Sequence, residues 1–131
     1  MNWSFRYYIA ADGDGEIRAA YDALGRKGRG VFLARLQALS SLPEIDWWRT
    51  GYAKQLTGLC AGLSEIRFKA DQVQQRPLGF RSGETEFTIV FWATEKNGRF
   101  VPKSACVTAL SIKAKIQQDR TKSHAIWLAL E

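Results

Sequence analysis

The sequence predicts an α+β domain with a mostly antiparallel sheet. Three observations carry this. Runs with a two-residue period occupy residues 63–94, helical periodicities flank them on both sides, and turn residues separate the runs. Residues 3–9 are aromatic-rich and read as an opening strand. Asp12-Gly13-Asp14-Gly15 is turn chemistry, and either aspartate can cap a helix beginning near Glu16. Ile17, Ala20, Tyr21 and Leu24 then recur at helical spacing until Gly25. A second helix is expected over residues 30–42, with Phe32, Leu36 and Leu39 as its stripe and Pro43 as its stop. Residues 44–51 read as a loop carrying Trp47 and Trp48.

From Leu63 the period changes to two. Glu65, Arg67 and Lys69 point one way while Ile66 and Phe68 point the other. Residues 74–80 form a second strand, which Pro77 and Gly79 weaken or bulge. Residues 86–94 give the clearest strand, and Asn97-Gly98 follows as a turn. Pro102 opens a last helix to about Asp119, with Ala105, Ala109, Ile112 and Ile116 inward. The apolar tail, residues 125–130, is expected to pack back on the domain.

A length of 131 residues with 46% apolar and 24% charged content fits one domain, residues 1–131. It excludes a disordered tail, a collagen-like rod and a disulfide-stapled miniprotein. The net charge is +6. Residues 1–50 hold 7 basic and 6 acidic side chains, whereas residues 51–131 hold 12 and 7. A surplus confined to one part of a small domain suggests a polyanion-facing surface, nucleic acid first. Cys60 and Cys106 lie in no metal-ligand spacing, so buried free thiols are expected. Residues 1–15 lack the apolar core of a secretory signal, and no apolar run reaches the length of a membrane helix. A reducing cytoplasm is the expected location.

Several motifs fail. The Asp12–Glu16 run begins like a calcium loop but has Ile17 where glycine is required. Gly25-Arg26-Lys27-Gly28-Arg29-Gly30 lacks the Gly-Lys-Ser/Thr ending of a phosphate loop and lies between helices. It reads as a solvated turn whose three cations can touch a phosphate backbone. One histidine, His124, supports neither a zinc set nor a Ser-His-Asp arrangement, and it reads as a surface residue. No metal or cofactor is expected.

What remains lies between Lys54 and Lys103. If the strands pair, Arg67, Lys69, Arg76 and Lys96 converge in one patch, since neighbouring strands are about 5 Å apart. Such a patch holds phosphates and stabilises the extra charge of a phosphorane-like transition state. RNA can be cut by its own 2′-hydroxyl, so no protein nucleophile is needed. Glu65 is the candidate general base, with a lysine of depressed pKa as the alternative. The competing interpretation is a solvated basic face with ordinary salt bridges.

Several segments together resemble the RelE/HigB superfamily of toxin–antitoxin mRNA interferases, in its phage-derived HigB-like branch. Lys54-Gln55-Leu56-Thr57-Gly58 resembles the family's K-x-L-x-G, and Gly62-Leu63-Ser64-Glu65-Ile66-Arg67 its G-L-[YS]-E-[LI]-R. Arg76 falls at the Arg before an apolar strand, residues 88–92 match that next strand, Lys96 falls where a Lys pair ends it, and Val101-Pro102 opens the last helix. The resemblance covers most of the chain.

It implies a RelE-like fold, with two N-terminal helices on a curved antiparallel sheet and a C-terminal helix. It also implies a ribosome-dependent endoribonuclease that cuts mRNA in the small-subunit decoding site. A cognate antitoxin, expected to be of helix-turn-helix type, would neutralise it. Arg67 and Arg76 would then stabilise the scissile phosphate, and Lys96 would contact the backbone or leaving group. Lys54, Lys69, Arg81, Arg99 and Lys103 complete the expected RNA-binding set. Trp47, Trp48 and the apolar tail are candidate antitoxin contacts, although large aromatics more often serve the core.

The chain departs from the pattern at three points. Glu95-Lys96 replaces Lys-Lys, Pro77 and Gly79 interrupt a strand, and no His or Tyr follows Pro102 in the last helix. These departures keep a second function open: a non-catalytic module binding RNA, the ribosome or a protein through the same face. A metabolic enzyme is the third and least supported reading, because no acid–base constellation can be assembled.

Overall fold

A computed structural model describes residues 2–11, 13 and 15–130. The elements in chain order are β1 (Ser4–Tyr8), α1 (Glu16–Asp22), α2 (Gly25–Ser40), α3 (Glu44–Trp47), β2 (Ala53–Gln55), β3 (Ser64–Ile66), β4 (Phe68–Ala70), β5 (Val73–Gly83), β6 (Glu86–Lys96), β7 (Arg99–Val101), α4 (Ala105–Gln118) and β8 (Ser123–Ala125). The strands form one mixed, open sheet in the order β2-β3-β5-β6-β1-β8, with β4 paired to β5 and β7 to β6. The α+β class is as the sequence predicts. Its one parallel pair is β1 with β6, running from Ser4 opposite Glu86 to Tyr7 opposite Ile89; the other pairings are antiparallel.

Apolar side chains cover both faces of this sheet. On one face α1, α2 and α3 pack Ile17, Phe32, Leu36, Leu39 and Trp47 against Phe5, Ile66, Phe68, Phe87 and Ile89. On the other, α4 packs Ala105, Ala109, Ile112 and Ile116 against Leu63, Leu78, Phe80, Val90 and Ala93. Phe32, Leu36 and Leu39 are wholly buried, each contributing about 1.5–3 kcal/mol of transfer free energy. The tail packs back as expected: Ile126, Trp127, Leu128 and Leu130 lie on the first core, and Trp127 meets Tyr7 and Tyr21 edge-on.

The structure corrects four sequence expectations. The capping aspartates Asp12 and Asp14 lie outside the described residues, and Gly15 occupies the cap position of α1 without a side-chain bond. The second helix begins at Gly25, not near 30, so the Gly25–Gly30 run is helix rather than turn. Gly28 is the reason. A Cβ there would sit 3.0 Å from both Ala70 and Leu24, so glycine lets α2 press against β4. Residues 44–47 form a short helix that buries Trp47.

The fourth correction concerns the thiols. Cys60 and Cys106 are joined in a disulfide, with Cα atoms 5.2 Å apart across 46 residues. A 3₁₀ turn over Gly58–Cys60 carries the loop between β2 and β3 back to the first turn of α4. Sequence spacing holds no sign of that return.

Two expectations about β5 and β6 hold. β5 runs through Pro77 opposite Trp92, and the register shifts between Leu78 and Gly79, a bulge at the expected place. A Cβ on Gly79 would overlap the Thr88 carbonyl oxygen and the Phe87 ring. Asn97 and Gly98 both take positive φ, as the two-residue hairpin joining β6 to β7 requires.

Candidate nucleic-acid interface

β2, β3, β5 and β6 lie side by side, and alternation along each strand sets which residues share a face. Lys54 is opposite Glu65, Glu65 opposite Leu78, Arg76 opposite Ala93, and Gln74 opposite Glu95. Lys69 joins them through its pairing with Gln74. Lys54, Glu65, Lys69, Gln74, Arg76 and Glu95 therefore occupy one face. The single strand expected from Leu63 onward is interrupted at Arg67, between β3 and β4, where the Arg67 N–H donates to the Tyr52 carbonyl at 2.7 Å and extends the β2–β3 pairing by one residue. Its carbonyl accepts from Arg35 Nε at 3.3 Å, and the Arg35 guanidinium lies 4.1 Å above the Tyr52 ring. Arg35 and Tyr52, which hold the backbone at Arg67, are contacts that sequence reasoning missed. Only the distance in sequence between α2 and β3 conceals them.

At the centre is Glu65, 3% exposed. Its Oε2 lies 3.0 Å from Arg67 Nε and 3.3 Å from Arg76 Nε, ion-pair distances without an aligned hydrogen bond to either. Burial pushes the Glu65 carboxyl above its ordinary range, Arg76 and Arg67 pull it back, and the nearby Glu95 raises it further. A carboxyl raised by folding favours the folded state below its ordinary pKa, and that contribution is lost as pH rises through the higher folded value. The urea midpoint of the parent should therefore fall, relative to Glu65→Gln, as pH is raised from about 4.5 toward neutrality. Parallel pH profiles for the two proteins would refute this.

Arg76 is buried, and each of its three nitrogens has a partner. Its Nε donates to Glu95 Oε1 at 3.2 Å, Nη1 to the Gln75 carbonyl at 2.8 Å and Nη2 to Gln74 Oε1 at 3.3 Å. Arg67 keeps 37% of its side chain in solvent, and Lys54 and Lys69 are exposed beside it. The cluster is a buried carboxylate pinned by Arg76, half-covered by Arg67 and rimmed by two lysines.

Of the four cations expected to converge, Arg67, Lys69 and Arg76 share the face, but Lys96 does not. Glu95 is the residue beside Arg76, and alternation turns Lys96 to the opposite face with its partner Arg99. Arg81 lies at the far end of β5, where Nε and Nη2 donate to the Glu84 carbonyl and Nη1 approaches Glu44 at 3.7 Å. Lys103 is exposed between β7 and α4. Trp47, a candidate partner contact, is core, and Trp48 is half-buried against it.

Among the described residues no three His, Cys, Asp or Glu side chains gather to hold a metal ion. A cleft of about 530 Å³ between α1 and α4 is lined by Tyr8, Glu16, Thr108, Ser111, Lys115 and apolar groups, without histidine or cysteine. No described helix is long and apolar enough to cross a membrane. Comparisons with protein-family models, with curated proteins and with solved structures return no match.

Proposed function

We propose that this chain is a RelE/HigB-like mRNA interferase, the toxin of a toxin–antitoxin pair. It would cut messages in the small-subunit decoding site and inhibit translation. The observation that supports it best is the half-exposed Arg67, flanked by the exposed Lys54 and Lys69, around a buried carboxyl of raised pKa. Together these supply phosphate contacts and a proton acceptor without a protein nucleophile.

In the proposed step the Arg67 guanidinium turns from Glu65 onto the scissile phosphate and uncovers the carboxylate. Glu65 takes the proton of the substrate 2′-hydroxyl, whose oxygen attacks phosphorus. The bond to the 5′-oxygen breaks, leaving a 2′,3′-cyclic phosphate and a 5′-hydroxyl protonated from solvent. Lys54 and Lys69 hold the flanking backbone, and Arg76 keeps Glu65 in place. Lys96, facing away, has no part. A translating cytoplasm is the implied setting and an antitoxin the implied partner. The Cys60–Cys106 bond counts the other way, because disulfides are rare in reducing compartments.

Arg67→Ala should reduce codon-phased cuts in a translating extract by about 100-fold or more, the scale set by losing one charge-stabilising donor. Its far-ultraviolet spectrum should be unchanged. Equal cutting by parent and variant would remove Arg67 from the chemistry. Growth arrest without any cuts in translated messages would end the nuclease reading.

One observation favours a non-catalytic RNA-binding module instead: Glu95 joins Glu65 on the buried Arg76, so that guanidinium's charge is already balanced by two carboxylates. That reading requires salt-dependent ribosome binding with intact RNA.

A further inference from the structure

The first five residues of α2 carry Arg26, Lys27 and Arg29 and no acidic residue, and its cap residue Leu24 makes no side-chain cap bond. Cations at a helix N-terminus oppose the helix dipole, so this placement works against the fold. None of the three has a carboxylate within ion-pair distance among the described residues. Arg26 and Lys27 are exposed, while Arg29 donates to the Asp22 carbonyl at 3.2 Å. The turn does not stand apart from the cluster around Glu65. Gly28 lets α2 press against Ala70 at the end of β4, and Lys27 and Lys69 line opposite sides of one cleft of about 320 Å³. Lys69 itself follows Arg67 by two residues, about 6.6 Å along the strand. Lys54, Arg67, Lys69 and Lys27 thus form a band that leaves the sheet face, crosses β4 and ends on α2, where the exposed Arg26 adjoins Lys27 in sequence.

We infer that this band is the path of a single RNA strand beyond the reacting phosphate, with Arg26 and Lys27 holding its distal phosphates. This rests on the nuclease or RNA-binding reading of the sheet face and extends it. An acidic protein surface fits less well. A protein interface needs an apolar or aromatic anchor at its centre, and the cleft offers only Leu24 and Val31, both half-buried against the core, with no aromatic side chain. Phosphate contacts need only cations in a row. Asp71, at the β4–β5 turn, is the one carboxylate in the cleft.

The test uses the whole chain and a fluorescent 2′-O-methylated 12-nucleotide RNA, which cannot be cut through its own 2′-oxygen. Dissociation constants are measured over a salt series for the parent, Arg67→Ala and the double variant Arg26→Gln, Lys27→Gln. Each lost phosphate contact should lower the log–log salt slope by about 0.7 on a single strand, so the double variant should lose about 1.4. Its melting temperature should equal or exceed the parent's, because two charges opposing the helix dipole are gone. That pairing of weaker binding with an undiminished fold separates a ligand contact from a structural role. If the parent binds and Arg67→Ala weakens it, but the double variant keeps the parent's slope, the path is overturned and the sheet-face reading stands. If the parent shows no salt-dependent RNA binding, both fall. A double variant that binds RNA normally but no longer binds an acidic protein partner would assign the band to protein.

Discussion

Arg76→Met should destabilise the chain by about 3–5 kcal/mol, measured as a lower urea midpoint at unchanged slope. The side chain is 5% exposed and faces Glu65, itself 3% exposed, and Glu95, 27% exposed. Removing the cation leaves two neighbouring carboxylates without their common counter-charge, and Gln74 and the Gln75 carbonyl without a donor. The cost is that of stranded partners rather than the intrinsic worth of the bridge, because burying both charges already carries a desolvation penalty. Adding Glu65→Gln to the Arg76→Met variant should recover a large part of the loss, since it removes the most buried charge. Were Arg76→Met to abolish RNA cleavage with its urea midpoint unmoved, Arg76 would be a substrate contact and the assignment of its role would be reversed. Loss of activity in an Arg76 variant therefore says nothing about catalysis until its stability is known.

The second large effect is expected at Trp47. Trp47→Ala should cost about 3–5 kcal/mol, as deletion of a buried indole does elsewhere. Its ring lies 4.6 Å from Trp3, 6.0 Å from Phe5 and 5.4 Å from Phe87. Its Nε1 donates to the Leu39 carbonyl at 2.9 Å and lies 3.1 Å from that of Leu42, closing the C-terminal end of α2. Trp47→Phe keeps most of the apolar volume and loses the donor, while the Leu42 carbonyl keeps Trp3 Nε1 and the Leu39 carbonyl keeps the Leu42 N–H, so it should cost less, about 1 kcal/mol for the lost hydrogen bond. Thermal unfolding followed by tryptophan fluorescence distinguishes the two. A mild Trp47→Ala would mean that the side chain leaves the core easily and is free to meet a partner.

Local chemistry is legible in this chain, and long-range pairing is not. The stripe Phe32, Leu36, Leu39 announces α2, Asn97-Gly98 its hairpin, and Gly79 the bulge. The start of α2 is hidden because Gly25, Gly28 and Gly30 interleaved with cations look like a turn. Gly28 is small for contact with Ala70, a strand residue far along the sequence.

Parity within a strand is readable, so Glu65, Arg67 and Lys69 group together from sequence alone. Parity between strands depends on register, and the shift at Leu78/Gly79 shows how little of that is local. Lys96 therefore falls on the face opposite to the expected one, and Glu95, visible only as a departure from a resemblance, is the neighbour of Arg76. The disulfide is beyond reach for the same reason: two cysteines 46 residues apart meet only through a loop that folds back.

The parallel pairing of β1 with β6 has a consequence for the order in which the chain can be made. β1 is synthesised before its partner strands, yet Ser4 must wait for Glu86 and Arg6 for Ser123, 117 residues later. Residues 53–101 supply the Glu65 cluster from neighbouring antiparallel segments and can assemble earlier. The β1 side of the sheet stays open until β8 and the apolar residues after it have been synthesised. During elongation the nascent chain thus carries Trp3 and Phe5 without their final cover, a slow, non-local closure of the kind that invites a chaperone or a binding partner at birth.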